Sequence, residues 1–307
     1  MRRLSRLVAV LCCVFLLACA SLERPDAQAR GEPLAPRSFR YADGGTGVYY
    51  TFTAGDPAAT VTAVFFYGAT GCPSWGSVMP GYVDGFDADA RFFVLNKRFV
   101  VDGADGESPC GRDFDLANNP AQWSADYGQF VAAKVHGMSP KPKHVVLVGV
   151  SEGAWPAASV AARAPLVTHL VLIGSGAYTM RESLATLWKK GDAPLDVAAG
   201  WQEIATDPRS IDKSWFGNPY RWWSDVMDLD PLPDLLSLQM PIWVGAGELD
   251  QSDPVESVRA LQRRFEDAGK RNLTVKIYPG ADHRLSAHGV SHRREFFAEF
   301  ARTLRRP

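Results

Sequence analysis

A doubly wound, mostly parallel α/β sheet with a helical cap inserted late in the chain is the fold class this sequence predicts. Three observations lead there. Short runs rich in β-branched and aromatic residues recur along the chain, and several are apolar without interruption, as strands covered on both faces require. Stretches with helical periodicity alternate with them, the pattern of strands joined by crossover helices. One connection, residues 177–240, is too long for a plain loop and carries its own aromatic residues.

Taken in order, the chain opens on Arg2, Arg3 and Arg6, followed by an apolar run over residues 7–18 that is too short to span a bilayer. This predicts an export signal over residues 1–18. The run closes on Leu16-Leu17-Ala18-Cys19, which resembles a bacterial lipobox, where the cysteine is acylated and becomes the mature N-terminus. Lipidation at Cys19 would anchor the protein in the cell envelope, at the periplasmic or outer surface. The competing reading takes Ala18-Cys19-Ala20 as an A-x-A-like site whose cleavage releases a secreted, soluble protein. Residues 19–37, rich in Pro, Ala, Arg and Glu, read as a flexible tether, and residues 38–307 as one folded domain.

Within that domain strands are expected over residues 48–52, 61–67, 91–101, 144–150, 166–173, 241–245 and 273–278. Helices are expected most clearly over residues 154–164, 254–268 and 292–304. In such a sheet ligands bind beyond the carboxyl ends of the strands. The 177–240 insertion holds Trp188, Trp201, Trp215, Trp222 and Trp223, more than half of the nine tryptophans, and reads as a small helical cap. These rings either pack the cap onto the body or meet a substrate directly; packing is the simpler account.

Composition excludes several classes of function. With a formal net charge of -1 and no basic stripe, nothing suggests a nucleic-acid partner. Of five cysteines, Cys12 and Cys13 leave with the signal and Cys19 is consumed by lipid, so Cys72 and Cys110 remain. In an oxidising compartment two such residues suggest one disulfide pinning two loops at one sheet edge, the alternative being two buried thiols. No CxxC, HxH or HExxH spacing occurs, so no metal or other cofactor is implied.

The central motif is Gly149-Val150-Ser151-Glu152-Gly153, directly after one expected strand and directly before one expected helix. A serine on so tight a strand-to-helix turn needs flanking glycines, and its hydroxyl stands exposed at the sheet edge. Such a hydroxyl attacks a carbonyl only when a base removes its proton. Among six histidines, only His283 sits in a loop just after a strand, in Pro279-Gly280-Ala281-Asp282-His283. His136, His144, His169, His288 and His292 receive no role. The base needs an acid to fix its tautomer, and the loop after the preceding strand offers Asp250, with Asp253 read as a helix cap and Asp282 as the second choice.

The order Ser151, Asp250, His283 resembles that of the alpha/beta-hydrolase superfamily, over the chain from about residue 48 onward. Gly247-Glu248-Leu249-Asp250 and Gly280-Ala281-Asp282-His283 look like its bacterial esterase and dienelactone-hydrolase-like branches. The resemblance implies an oxyanion hole built from the backbone N–H of Glu152 and a second N–H in Gly68-Ala69-Thr70-Gly71-Cys72, with Ala69 first and Thr70 second. The chain departs from the family in placing Tyr67 where histidine often precedes that loop. A Cys72–Cys110 bridge would stiffen it. The Glu152 carboxylate reads either as a favourable charge on a helix dipole or as an attraction for a cationic substrate.

The activity this implies is acyl transfer to water from a small-molecule substrate, carboxylesterase-like given the aromatic cap. A peptidase or thioesterase of the same fold is the alternative within enzymes. A non-catalytic envelope lipoprotein that binds a ligand under the cap is the alternative from another class.

Overall fold

The computed structural model describes residues 34–57, 60–106, 109–191 and 196–305. The expected export signal, Cys19 and the tether through residue 33 lie outside the described residues. No described helix is long and apolar enough to cross a membrane.

Eight strands form the main sheet: β1 (Arg37–Arg40), β2 (Thr46–Ala54), β3 (Thr62–Tyr67), β4 (Ala90–Leu95), β5 (His144–Val150), β6 (His169–Ile173), β7 (Ile242–Gly247) and β8 (Leu273–Tyr278). Their order is β1-β2-β4-β3-β5-β6-β7-β8. Only the β1–β2 and β2–β4 pairs are antiparallel, and all others are parallel. This is the alternating, mostly parallel α/β architecture expected.

Alternation of side chains explains why the central strands read as continuously apolar. In β3 and β5, Phe65, Val145 and Leu147 point to one face, and Val64, Phe66, Val146 and Val148 to the other. The first face is covered by α3 (Pro120–Gly137), α4 (Ala154–Arg163) and α9 (Val255–Asp267), through Tyr127, Phe130, Ala157, Val258, Leu261 and Phe265. The second is covered by α1 (Met79–Tyr82) and α10 (Arg293–Leu304), through Met79, Tyr82, Phe296, Phe297 and Phe300. Every residue of β3 is buried, so a polar residue anywhere in its apolar stretch would lose hydration without a partner.

Two expected strands are shortened. The strand over residues 91–101 stops at Leu95, because Asn96 turns its side chain to the Ser74–Trp75 segment, accepting from Trp75 N (3.1 Å) and donating to Ser74 Oγ (3.2 Å). The apolar residues beyond are loop residues; Phe99 has φ +63° and, with Val101, is exposed. The strand over residues 166–173 begins at His169, since Val167 N closes a turn onto Ala164 O. Sequence reading also passed over α3, whose start is signalled by Asn119 followed by Pro120: Asn119 Oδ1 accepts from Gln122 N at 2.8 Å.

The long insertion contains α5 (Met180–Lys190), α6 (Val197–Thr206) and α7 (Tyr220–Val226), followed by α8 (Leu232–Ser237). A capping box between Thr179 and Glu182 starts α5, and Asp196 caps α6. Leu187, Trp201, Ile204, Tyr220, Trp223 and Val226 build a separate small core, which takes in Trp155 of α4. Leu232 and Leu235 of α8 join the main core.

Candidate active site

The turn between β5 and α4 shows why its glycines are required. Ser151 has φ +53°, a left-handed conformation that costs a residue with a Cβ roughly 1–3 kcal/mol. A Cβ on Gly149 would lie 2.6 Å from Ala154 Cα, and one on Gly153 would lie 2.2 Å from Gly68 O and 2.5 Å from Tyr67 O. The turn is therefore pressed against the end of β3 and against Gly68, where the following loop begins.

His283 leaves the loop after β8. Its Nδ1 lies 2.7 Å from Asp250 Oδ2. Asp250 is buried in the loop after β7, where its Oδ1 accepts from Ser252 N (2.7 Å) and Asp253 N (2.9 Å). Both oxygens are thus fixed, and Nδ1–H is the tautomer that this carboxylate selects, leaving Nε2 free as a base. The imidazole rests on Gly174, where a Cβ would come within 2.6 Å of its Cε1. Gly174 directly follows Ile173, which is the register partner of Val150, and Ser151 directly follows Val150. The ring and the hydroxyl therefore stand at the carboxyl ends of adjacent strands. Ser151 Oγ makes no hydrogen bond among the described residues, to His283 or to any other, as is common before a substrate draws a serine and its base together.

Burial opposes a charged imidazole, but the charge and hydrogen bond of Asp250 outweigh it, with Asp253 and Asp282 adding, so the His283 pKa stands above its ordinary value. Asp253 is perturbed the other way for an acid: burial first, and then the charge of Asp250, raise its pKa to about 7. It does not cap α9, whose N-cap position is Pro254 without a side-chain bond. Asp253 instead turns inward and accepts from Ser183 Oγ of α5 at 2.7 Å, so it ties the acid loop to the cap. Asp282, the second choice for the acid, accepts from Arg284 N and Ser286 N, both at 2.9 Å, and braces its own loop.

The loop after β3 is held from several sides. Cys72 and Cys110 are joined by a disulfide with Cα atoms 5.6 Å apart, packed on Val100 and on Phe114 of the short helix α2 (Arg112–Ala117). Ser74 N donates to Ala104 O (2.7 Å), and Ser74 Oγ also meets Tyr50 Oη (2.8 Å). The backbone N–H groups of Ala69 and Thr70 donate to no acceptor among the described residues, and Glu152 N lies in the first turn of a helix, where amides lack an internal partner. Tyr67 faces away from the site, stacked on Tyr127 in the core with ring centroids 3.9 Å apart.

The Glu152 side chain lies in the first turn of a helix, as the dipole reading has it, but it also makes contacts that neither reading named. The carboxylate is buried, with Oε2 2.8 Å from Lys97 Nζ and Oε1 accepting from Trp222 Nε1 at 2.9 Å. Sequence reasoning missed both partners, which lie 55 and 70 residues away. The only available signal was chemical: a carboxylate drawn into the interior needs a cation or hydrogen-bond donors. Of the cap tryptophans, Trp201, Trp215 and Trp223 pack on one another at 4.8–5.5 Å, Trp222 reaches the turn, and Trp188 is exposed.

No protein-family model and no curated sequence matches this chain, but its fold has many counterparts among solved structures. An alpha/beta-hydrolase fold protein from Chitinophaga pinensis is 14% identical with a TM-score of 0.59, over 89% of this chain and 98% of that one. Est1E from Butyrivibrio proteoclasticus is 12% identical with a TM-score of 0.58, over 88% and 96%. The acylaminoacyl peptidase of Pyrococcus horikoshii is 14% identical with a TM-score of 0.57, over 90% of this chain but 42% of the peptidase. This chain spans about two fifths of the length of that peptidase.

Proposed function

We propose, from the alpha/beta-hydrolase fold that this chain carries, that it is a serine hydrolase acting on carboxylic esters through an acyl-enzyme on Ser151. One observation carries the reading: a serine held at φ +53° on a strand-to-helix turn stands one strand from an imidazole bonded to a buried carboxylate at 2.7 Å.

In this mechanism His283 Nε2 takes the proton of Ser151 as Oγ bonds to the carbonyl carbon, and Asp250 stabilises the imidazolium that forms. The oxyanion is received by the backbone N–H of Glu152 and of Ala69, or of Thr70 in its place. The bond from the acyl carbon to the leaving oxygen then breaks, and His283 returns its proton to the alcohol. Water attacks the acyl-enzyme by the same steps in reverse, which releases the acid and restores Ser151. No cofactor takes part.

The aromatic cap favours an apolar acyl or aryl ester. Rates over p-nitrophenyl esters of increasing chain length, beside peptide p-nitroanilides, test the choice: ester turnover that disappears in Ser151→Ala supports the reading. Anilide turnover exceeding ester turnover would make it a peptidase. Lipid attachment at Cys19 is part of the proposal, placing the enzyme on the cell envelope. Incorporation of labelled palmitate into the wild type and not into Cys19→Ala is its expected sign; equal incorporation excludes it.

A further inference from the structure

Glu152 poses an electrostatic problem for the mechanism proposed above. The tetrahedral intermediate places a negative charge at the Glu152 N–H, and a second negative charge on the same residue would oppose it. Lys97 removes that conflict. Its ammonium is buried, 2.8 Å from the Glu152 carboxylate, with the ring of Trp123 4.2 Å away on another side. Burial pulls the Lys97 pKa below the usual lysine value, and Glu152 opposes the shift by charge and hydrogen bond. The second carboxylate oxygen is occupied by the indole N–H of Trp222, in α7 of the cap.

Three separate segments thus converge on one side chain: the loop after β4, the turn that holds Ser151, and the cap. We infer that Glu152 is a positioning residue, whose carboxylate, shared between Lys97 and Trp222, keeps its own backbone N–H aimed at the oxyanion and joins that aim to the seating of the cap. The inference rests on the serine-hydrolase reading. The arrangement cancels the local charge and fixes the donor with the same two contacts. A peptide N–H turned away from the oxyanion raises the barrier to acylation without altering how substrate first binds, so the effect belongs in kcat.

The test uses Trp222→Phe, which removes the indole N–H and leaves the Lys97–Glu152 pair. Total loss of one oxyanion donor costs about 10²- to 10³-fold, so loosening one is expected to lower kcat about tenfold on p-nitrophenyl acetate, with KM within about twofold. Folding is checked by near-UV circular dichroism. A folded Trp222→Phe with wild-type kcat, or with its loss in KM alone, overturns the inference. If Trp222→Phe does not fold, Lys97→Met paired with Glu152→Gln carries the test, because the glutamine carbonyl still accepts from Trp222 and no charge is left unpaired. The pair should recover at least tenfold in kcat over Lys97→Met alone, which leaves a bare carboxylate beside the oxyanion; no recovery overturns the inference. Fluorophosphonate labelling of the wild type keeps the two levels apart. An unlabelled wild type defeats the hydrolase reading itself, whereas a labelled one with an unaffected Trp222→Phe defeats only this inference.

Discussion

Asp253 and Asp250 lie three residues apart and meet the histidine differently. Asp250 has both oxygens engaged, two backbone amides on one and the imidazole on the other. Asp253 has one oxygen on Ser183, and burial of its carboxyl together with the charge of Asp250 favours the neutral form, so its pKa rises to about 7. Between an unfolded value near 3.8 and a folded value near 7, the folded state binds the extra proton, so this group's contribution to stability falls as pH rises through that window. Asp253→Asn should therefore be more favourable to stability, relative to wild type, at pH 8 than at pH 5, as thermal melts at the two pH values would show. Because Asp253 also holds the His283 pKa up, the same variant should move the acidic limb of kcat/KM to lower pH. An unmoved limb would mean that the two groups do not sense each other.

At this scale the sequence was partly legible. Ser151, Asp250 and His283 are recognisable because each sits in a turn just after a strand, and a strand's end can be read from its apolar run. The inward turn of Asp253 was not legible, since Asp before Pro is equally the signature of a helix start, and only the cap helix carrying Ser183 decides between them. The partners of Glu152 were likewise hidden, because a long-range ion pair leaves no local pattern.

Among the elements, the loop after β3 has the most to do and the least regular structure to hold it. Its constraint comes from the Cys72–Cys110 bridge, which closes 38 residues of sequence separation, and from contacts to the segment that follows β4. A link over that separation is worth roughly 2–5 kcal/mol, chiefly by restricting the unfolded chain. The variant with Cys72→Ser and Cys110→Ser should melt lower by a corresponding amount. Below its melting temperature it should also lose several-fold in kcat, because the same loop offers Ala69 and Thr70; a lower melting temperature with unchanged kcat would limit the bridge to stability. The strands β3 and β5 match the expected runs closely, because continuous burial leaves a continuous apolar pattern; β8 also matches its expected bounds, although all of it but Tyr278 is half-buried. The run after β4 misled for the same reason. Phe99 and Val101 are apolar but exposed, and pattern alone cannot tell a strand residue from an apolar loop residue.

Across the whole molecule, the two faces of one sheet are filled by separate sets of side chains, and the carboxyl ends of the middle strands are left to the site and its cap. That division is what makes the fold class readable: helices and strands alternate because each crossover must return to the same edge. Substrate is written less plainly, since it depends on how cap rings meet the turn, and those contacts span tens of residues. The proposed chemistry requires Ser151 to be a nucleophile, and mass spectrometry of peptides from the protein treated with a fluorophosphonate tests this most directly. A single phosphonyl adduct on Ser151, absent when His283 is replaced by alanine, is the predicted result. An unmodified Ser151, or an adduct on another serine, would contradict it.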